Sequence, residues 1–175
     1  MKNCEQMKGL SVLQHGFMVK NYTFDLINHL KGKPSKYTWN IPSIITDNKE
    51  LILENLLPYS IIKEYTILHD LGKPYCLSID SDGKRHFTDH ANVSYKTYIN
   101  LPGNNPDVAY LILHDMDLHL GNVDNIDKKY IYTQIIVSLS ELHANAQMFG
   151  GIESTSFKIK LKKLTQSIKK ILKNK

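Results

Sequence analysis

Five residues of this chain have the types and spacing to hold metal ions: His15, the dipeptide His69-Asp70, His90 and His114. Imidazole and carboxylate both ligate first-row divalent metals. His69 and His90 are 21 residues apart, and His90 and His114 are 24 apart. Each interval is about one helix plus a connection, so successive histidines can return to one end of a helical bundle. Two cations about 3.5–4 Å apart clamp a phosphoryl oxygen and lower the pKa of the water between them, which then attacks phosphorus in line with the leaving oxygen. Asp70 has two oxygens and can bridge both ions. Lys73 can neutralise a phosphate oxygen as charge develops, or be an ordinary exposed lysine at a helix C-terminus.

The element that must deliver His69-Asp70 is a helix over residues 59–71. Ile61, Ile62, Tyr65, Leu68 and Leu71 recur at helical spacing. Gly72 reads as a left-handed cap and Pro74 as a bar to continuation. A first helix over 10–31, with Leu10, Leu13, Phe17, Phe24, Ile27 and Leu30 as its apolar stripe, carries His15 and ends at Gly32 and Pro34. Alternating residues around Asp80-Ser81-Asp82-Gly83 predict a β-hairpin over 75–87. The turn lacks the later ligands of a calcium loop. Further helices are expected over 90–100, capped by Asp89, over 107–120, over 128–149, capped by Asp127, and over 156–173, with a short one at 50–57. Residues 33–48 have no period and read as a loop, where Trp39 or Tyr37 stacks on a base or sugar or else plugs the core edge. The expectation is an all-α bundle of about six to eight helices with one small hairpin. It forms a single domain over 1–175, with a core of about 10–150 and a basic amphipathic C-terminal helix.

The early His15, the string Leu68-His69-Asp70-Leu71-Gly72-Lys73 and the later histidines resemble the HD-domain metal-dependent phosphohydrolases. Leu68 to Pro74 with Phe87-Thr88-Asp89-His90-Ala91 is especially similar to the HD region of bacterial CCA-adding transfer-RNA nucleotidyltransferases. The resemblance covers residues 10–150. It implies an HD-type helical bundle in which His15, His69 and Asp70 ligate a first divalent ion and His90 and His114 serve a second. The family closes its site with a later aspartate. Here Asn145 stands at that position, a neutral amide that brings no charge to offset a cation. Glu141, four residues earlier on the same helical face, can substitute. Asp115 and Asp117 can orient His114.

Of the other histidines, His86 is the best placed to touch substrate, because its hairpin connects two ligand helices. His29, His119 and His143 are not expected as ligands. The metal is open among manganese, iron, cobalt, nickel and zinc. The implied substrate is a phosphate ester of a nucleotide or a nucleic-acid end. Two alternatives stand beside hydrolysis. One is a nucleotide- or RNA-binding HD module with degraded chemistry, motivated by Asn145. The other is a di-iron oxygenase, against which a phosphate-friendly Lys73 argues.

The composition fits a cytoplasmic protein in a reducing compartment. Cys4 and Cys76 are too few and isolated for a disulfide framework or a cysteine metal site. No apolar run reaches the ~20 residues of a membrane span. The net charge of +5 is uneven: residues 158–175 hold eight lysines and no acids. Those lysines either lie in water around an amphipathic helix or guide RNA or DNA through its phosphates. The segment has no arginine and no interleaved aromatics, which weighs against specific readout.

Overall fold

The computed structural model describes residues 1–173. They are mainly helical, with two small antiparallel strand pairs, as an all-α bundle with a hairpin requires. By its internal contacts the chain groups into two compact units, each made of two separate stretches. Unit 1 is residues 1–20 and 59–115; unit 2 is 21–58 and 116–175. No described helix is long and apolar enough to cross a membrane.

Unit 1 begins with β1 (Glu5–Met7) paired to β2 (Leu10–Ser11), strands the sequence did not announce. Helix α1 (Val12–Leu30) follows and gives its first half to this unit. The stripe expected on α1 holds at Ile27 and Leu30, which are buried, and fails in the first half of the helix, where Val12, His15 and Val19 are buried and Phe17 is 43 % exposed. Helix α4 (Tyr59–Leu68) buries Ile62, Tyr65 and Thr66 and packs on α7 (Pro106–Leu113). Helix α7 in turn lies on α6 (His90–Ile99). Asn105 caps α7 by accepting from the amides of Asp107 and Val108, with Pro106 in the first turn. The predicted hairpin is present: β3 (Leu77–Ile79) pairs with β4 (Arg85–Phe87) in the register Leu77 with Phe87 and Ile79 with Arg85.

Four local expectations need correction. Gly72 is not a left-handed cap: its φ is −79°. It is needed for space, because a Cβ there would lie 2.3 Å from the Ser94 nitrogen. Pro74 does not end a helix but sits in the first turn of α5 (Lys73–Cys76). Asp89 stands at the N-cap position of α6 but its side chain caps no helix amide: it takes a left-handed conformation (φ 56°), and its carboxylate accepts from the Asn92 side chain. The helix expected over 107–120 is two helices, α7 and α8 (Asp117–Leu120), with His114 at the C-cap of α7.

Unit 2 contains the second half of α1, the short helices α2 (Ser43–Thr46) and α3 (Lys49–Glu54), α8, α9 (Ile131–Met148) and α10 (Thr155–Lys173). Helix α9 is buried on nearly all sides from Ile131 to Ala146, which is why its apolar residues show no clean stripe. Tyr130 precedes α9, and Asp127 accepts from the Lys129 amide upstream instead of capping the helix. Helix α10 is amphipathic as expected, with Phe157, Leu161, Leu164, Ile168 and Leu172 buried and packing on α8 and α9.

Candidate metal centre

His15, His69 and Asp70 come together in unit 1. They are fully buried, and their ligating atoms lie within 4.8 Å of one another. The reason is local. Tyr65 closes the last turn of α4 onto the His69 amide, so His69 and Asp70 sit in the turn just past the helix end. His15 is held one turn into α1, where Gly16 lets the helix backbone approach Ile67.

Asp70 is the hub. Its Oδ2 lies 3.2 Å from His69 Nε2, 3.7 Å from His15 Nε2 and 2.6 Å from Lys73 Nζ. Its Oδ1 faces His90 Nε2 at 3.8 Å, too far for a hydrogen bond, and has no hydrogen-bond partner although buried. Burial alone pushes the Asp70 carboxyl up. Positive charge on His69 when its ring is protonated, the Lys73 ammonium and a protonated His15 outweigh it and hold the group well below the usual carboxylate range.

The imidazole tautomers follow from the backbone. His69 Nδ1 is 3.0 Å from the Thr66 carbonyl, and His90 Nδ1 is 3.1 Å from that of Phe87. A carbonyl only accepts, so Nδ1 carries the proton and a neutral ring presents its Nε2 lone pair to Asp70. Lone pairs facing carboxylate oxygens repel unless a proton or cation lies among them. This donor set, with its second ring nitrogens already fixed by carbonyls, fits a divalent cation.

Lys73 is not the exposed lysine that one of its two sequence readings offered: it is buried, donates to Asp70 and to Gln6 Oε1 at 3.0 Å, and lies 5.2 Å above the Phe87 ring. No motif or spacing pointed to Gln6, whose Oε1 is the second acceptor of the Lys73 ammonium. His114 is not part of the close group. It stacks on Tyr110, with ring centroids 4.3 Å apart. Asp115 is buried and accepts from the Tyr65 hydroxyl. His86 is exposed on β4 and pairs with Asp80 at 2.7 Å. Asp80 also accepts from the amides of Asp82 and Lys84, so it organises a turn, as the sequence reading had it.

Glu141, Asn145 and Trp39 belong to unit 2. Glu141 Oε1 accepts from Asn145 Nδ2, and Oε2 lies 3.6 Å from His119 Nε2. Trp39 is anchored rather than loose. Its indole donates to Asp25 at 2.9 Å and tilts against His143. Asp25 is buried and also accepts from the amides of Lys36 and Tyr37, so one carboxylate gathers the long loop. His143 completes the anchorage: Nδ1 donates to the Leu139 carbonyl and Nε2 accepts from the Asn40 amide.

Both His143 nitrogens are thus committed to the neutral ring, and burial pulls its pKa below the ordinary 6.5. Protonation would cost the Asn40 bond. The stabilisation is therefore complete above about pH 6.5 and is lost as pH falls through the lower folded value. Denaturant unfolding from pH 7.5 to pH 5 should show this loss, and His143→Gln should flatten it. An equal slope in the variant would rule the assignment out.

No family model matches the chain, and the searches of curated proteins and of solved structures return no match.

Proposed function

We propose that unit 1 is the metal centre of a phosphohydrolase acting on a phosphate ester of a nucleotide or a nucleic-acid end. The observation that carries this reading is Asp70, buried and approached by the Nε2 atoms of three imidazoles. His15, His69 and Asp70 would hold a divalent ion, with His90 at the other Asp70 oxygen. Manganese, iron, cobalt, nickel or zinc suits such ligands. When bound, the ion would polarise the phosphoryl group and acidify a water. The chain's own part is to keep Asp70 ionised, to fix the rings of His69 and His90 through the Thr66 and Phe87 carbonyls, and to place the Lys73 charge beside the reacting group. The resemblance of the His69-to-Lys73 string to HD-domain phosphohydrolases points the same way, and to a cytoplasmic setting.

A second reading is favoured by one contact. Lys73 already supplies a cation to Asp70 at 2.6 Å. The same unit could then bind a nucleotide or RNA without hydrolysing it. Metal analysis of the purified protein and a phosphate-release screen over nucleotides and short oligonucleotides separate the two. The first reading expects about one or two bound ions per chain and turnover that falls at least about a hundredfold in His69→Ala. It also expects Lys73→Met to bind metal more tightly, because a competing cation is gone. No metal uptake and no turnover in the wild type or Lys73→Met would leave the second.

A further inference from the structure

We propose that unit 2 presents, on helix α10, a surface that grips the phosphate backbone of a double-helical nucleic acid without reading its sequence. The charge of the chain is divided unequally. Unit 1 holds eight basic and eight acidic residues and is balanced, whereas unit 2 holds fourteen lysines against nine acids, so the whole net charge of +5 lies there. Helix α10 alone carries seven lysines and no acid, and all seven lysines are exposed.

These lysines differ from an ordinary solvated face in their pairing. Lys158 meets Glu153 at 2.9 Å, but Lys160, Lys162, Lys163, Lys169, Lys170 and Lys173 meet no carboxylate among the described residues. Lys158 with Lys162, and Lys169 with Lys173, are like charges four residues apart, an arrangement that opposes the helix. The helix dipole favours cations only in the last turn, at Lys170 and Lys173. An anionic partner would offset the repulsion that is left. The placement suits a long one. At 3.6 residues per turn Lys158, Lys162, Lys169 and Lys173 share one strip of α10, with Lys163 and Lys170 on the strip beside it. The strip is about 22 Å long, a length over which a duplex presents roughly a dozen phosphates.

The rest of the helix narrows the partner. Its apolar face is committed inside unit 2, where Phe157, Leu161, Leu164 and Ile168 are buried. It cannot also lay that face in a bilayer, as a membrane-surface helix must. Phe157 is its one aromatic residue, so α10 offers no exposed ring on which an unpaired base could stack. What remains is a ridge of ammonium groups, which meets backbone phosphates as point charges and carries no sequence information. All of these residues belong to unit 2, and the surface would bind a duplex whether or not unit 1 hydrolyses phosphate esters.

The test is fluorescence anisotropy of two labelled duplexes of unrelated sequence, each about 20 base pairs, titrated with the full chain from about 50 to 200 mM salt. Both should bind alike. The logarithm of the affinity should fall against that of the salt concentration with a slope between about −3.6 and −5.4, as about four to six phosphate contacts give. Lys162→Gln with Lys169→Gln keeps the helix propensity. It should weaken both duplexes at least about tenfold at the lowest salt and make the slope shallower by about 1.8. Lys8→Gln with Lys63→Gln removes the same charge from unit 1 and should leave the slope unchanged. Vesicles of phosphatidylserine and phosphatidylcholine should bind less tightly than either duplex. No duplex binding at the lowest salt, a strong preference for one sequence, an unchanged slope in the α10 variant, an equal loss in the unit 1 variant, or tighter binding to the vesicles would each overturn the proposal.

Discussion

Asp70→Asn should lower the unfolding free energy by about 3–5 kcal/mol, because it leaves the buried Lys73 ammonium without a counter-charge. Lys73 would keep only the neutral Gln6 amide oxygen. Asp70→Asn combined with Lys73→Met should recover most of the loss, since an apolar chain of similar length replaces an orphaned charge. Denaturant melts of the two single variants, the double and the wild type give the coupling. An Asp70→Asn protein that unfolds at the wild-type midpoint would show that the pair does not organise this turn. The same carboxylate sets an acid limit. Its folded pKa is depressed, so its contribution is present above the ordinary 3.8 and is lost as pH falls through the folded value. A divalent metal that binds through Asp70 would be lost in the same variant, so metal content and stability should fall together.

Gly16→Ala should be nearly as damaging, against the trend of helix propensity. Alanine in the interior of an exposed helix gains about 1 kcal/mol over glycine. Here the new Cβ would lie 2.3 Å from the Ile67 carbonyl oxygen and 2.9 Å from its carbon. Those are backbone atoms that no rotamer change can move, so α1 must shift from the end of α4. The expected cost is about 3 kcal/mol, in the range of an overpacked core. Gly72→Ala meets the Ser94 backbone at 2.3 Å and should behave alike. Both glycines flank the centre: Gly16 adjoins His15, and Gly72 lies two residues past Asp70. Thermal unfolding is the measurement. A Gly16→Ala protein as stable as the wild type would mean that this close approach does not exist.

These two glycines also show what a single sequence conceals. The amphipathic C-terminal helix and the hairpin around Asp80–Gly83 were legible because each is written in local spacing, whereas the meeting of His15 with His69-Asp70 was an expectation implied by the resemblance to HD-domain phosphohydrolases. Gly72 was not legible, since a glycine after a helix reads as a cap whatever its φ; only the neighbouring Ser94 backbone reveals the need for space. Phe17 joins the apolar stripe of α1 by spacing, yet the first half of the helix buries Val12 and Val19 instead. For Lys73 the exposed alternative stood beside the phosphate-neutralising one because lysines are mostly exposed. Its burial depends on Gln6, 67 residues away in sequence. Asp25 was invisible for the same reason: its partners lie 11 to 14 residues along a stretch with no period.

Helix α1 gives its first residues to one unit and its remainder to the other, and residues 21–58 interrupt the stretches that form unit 1. The interleaving has a consequence for how such a molecule can change over generations. No single cut in the gene separates the two units, because His15 lies on the far side of that interruption from His69 and Asp70. A contiguous stretch that carries the candidate ligands His15, His69 and Asp70 also carries residues 21–58 of the other unit, so exchange between genes moves them only together with part of unit 2.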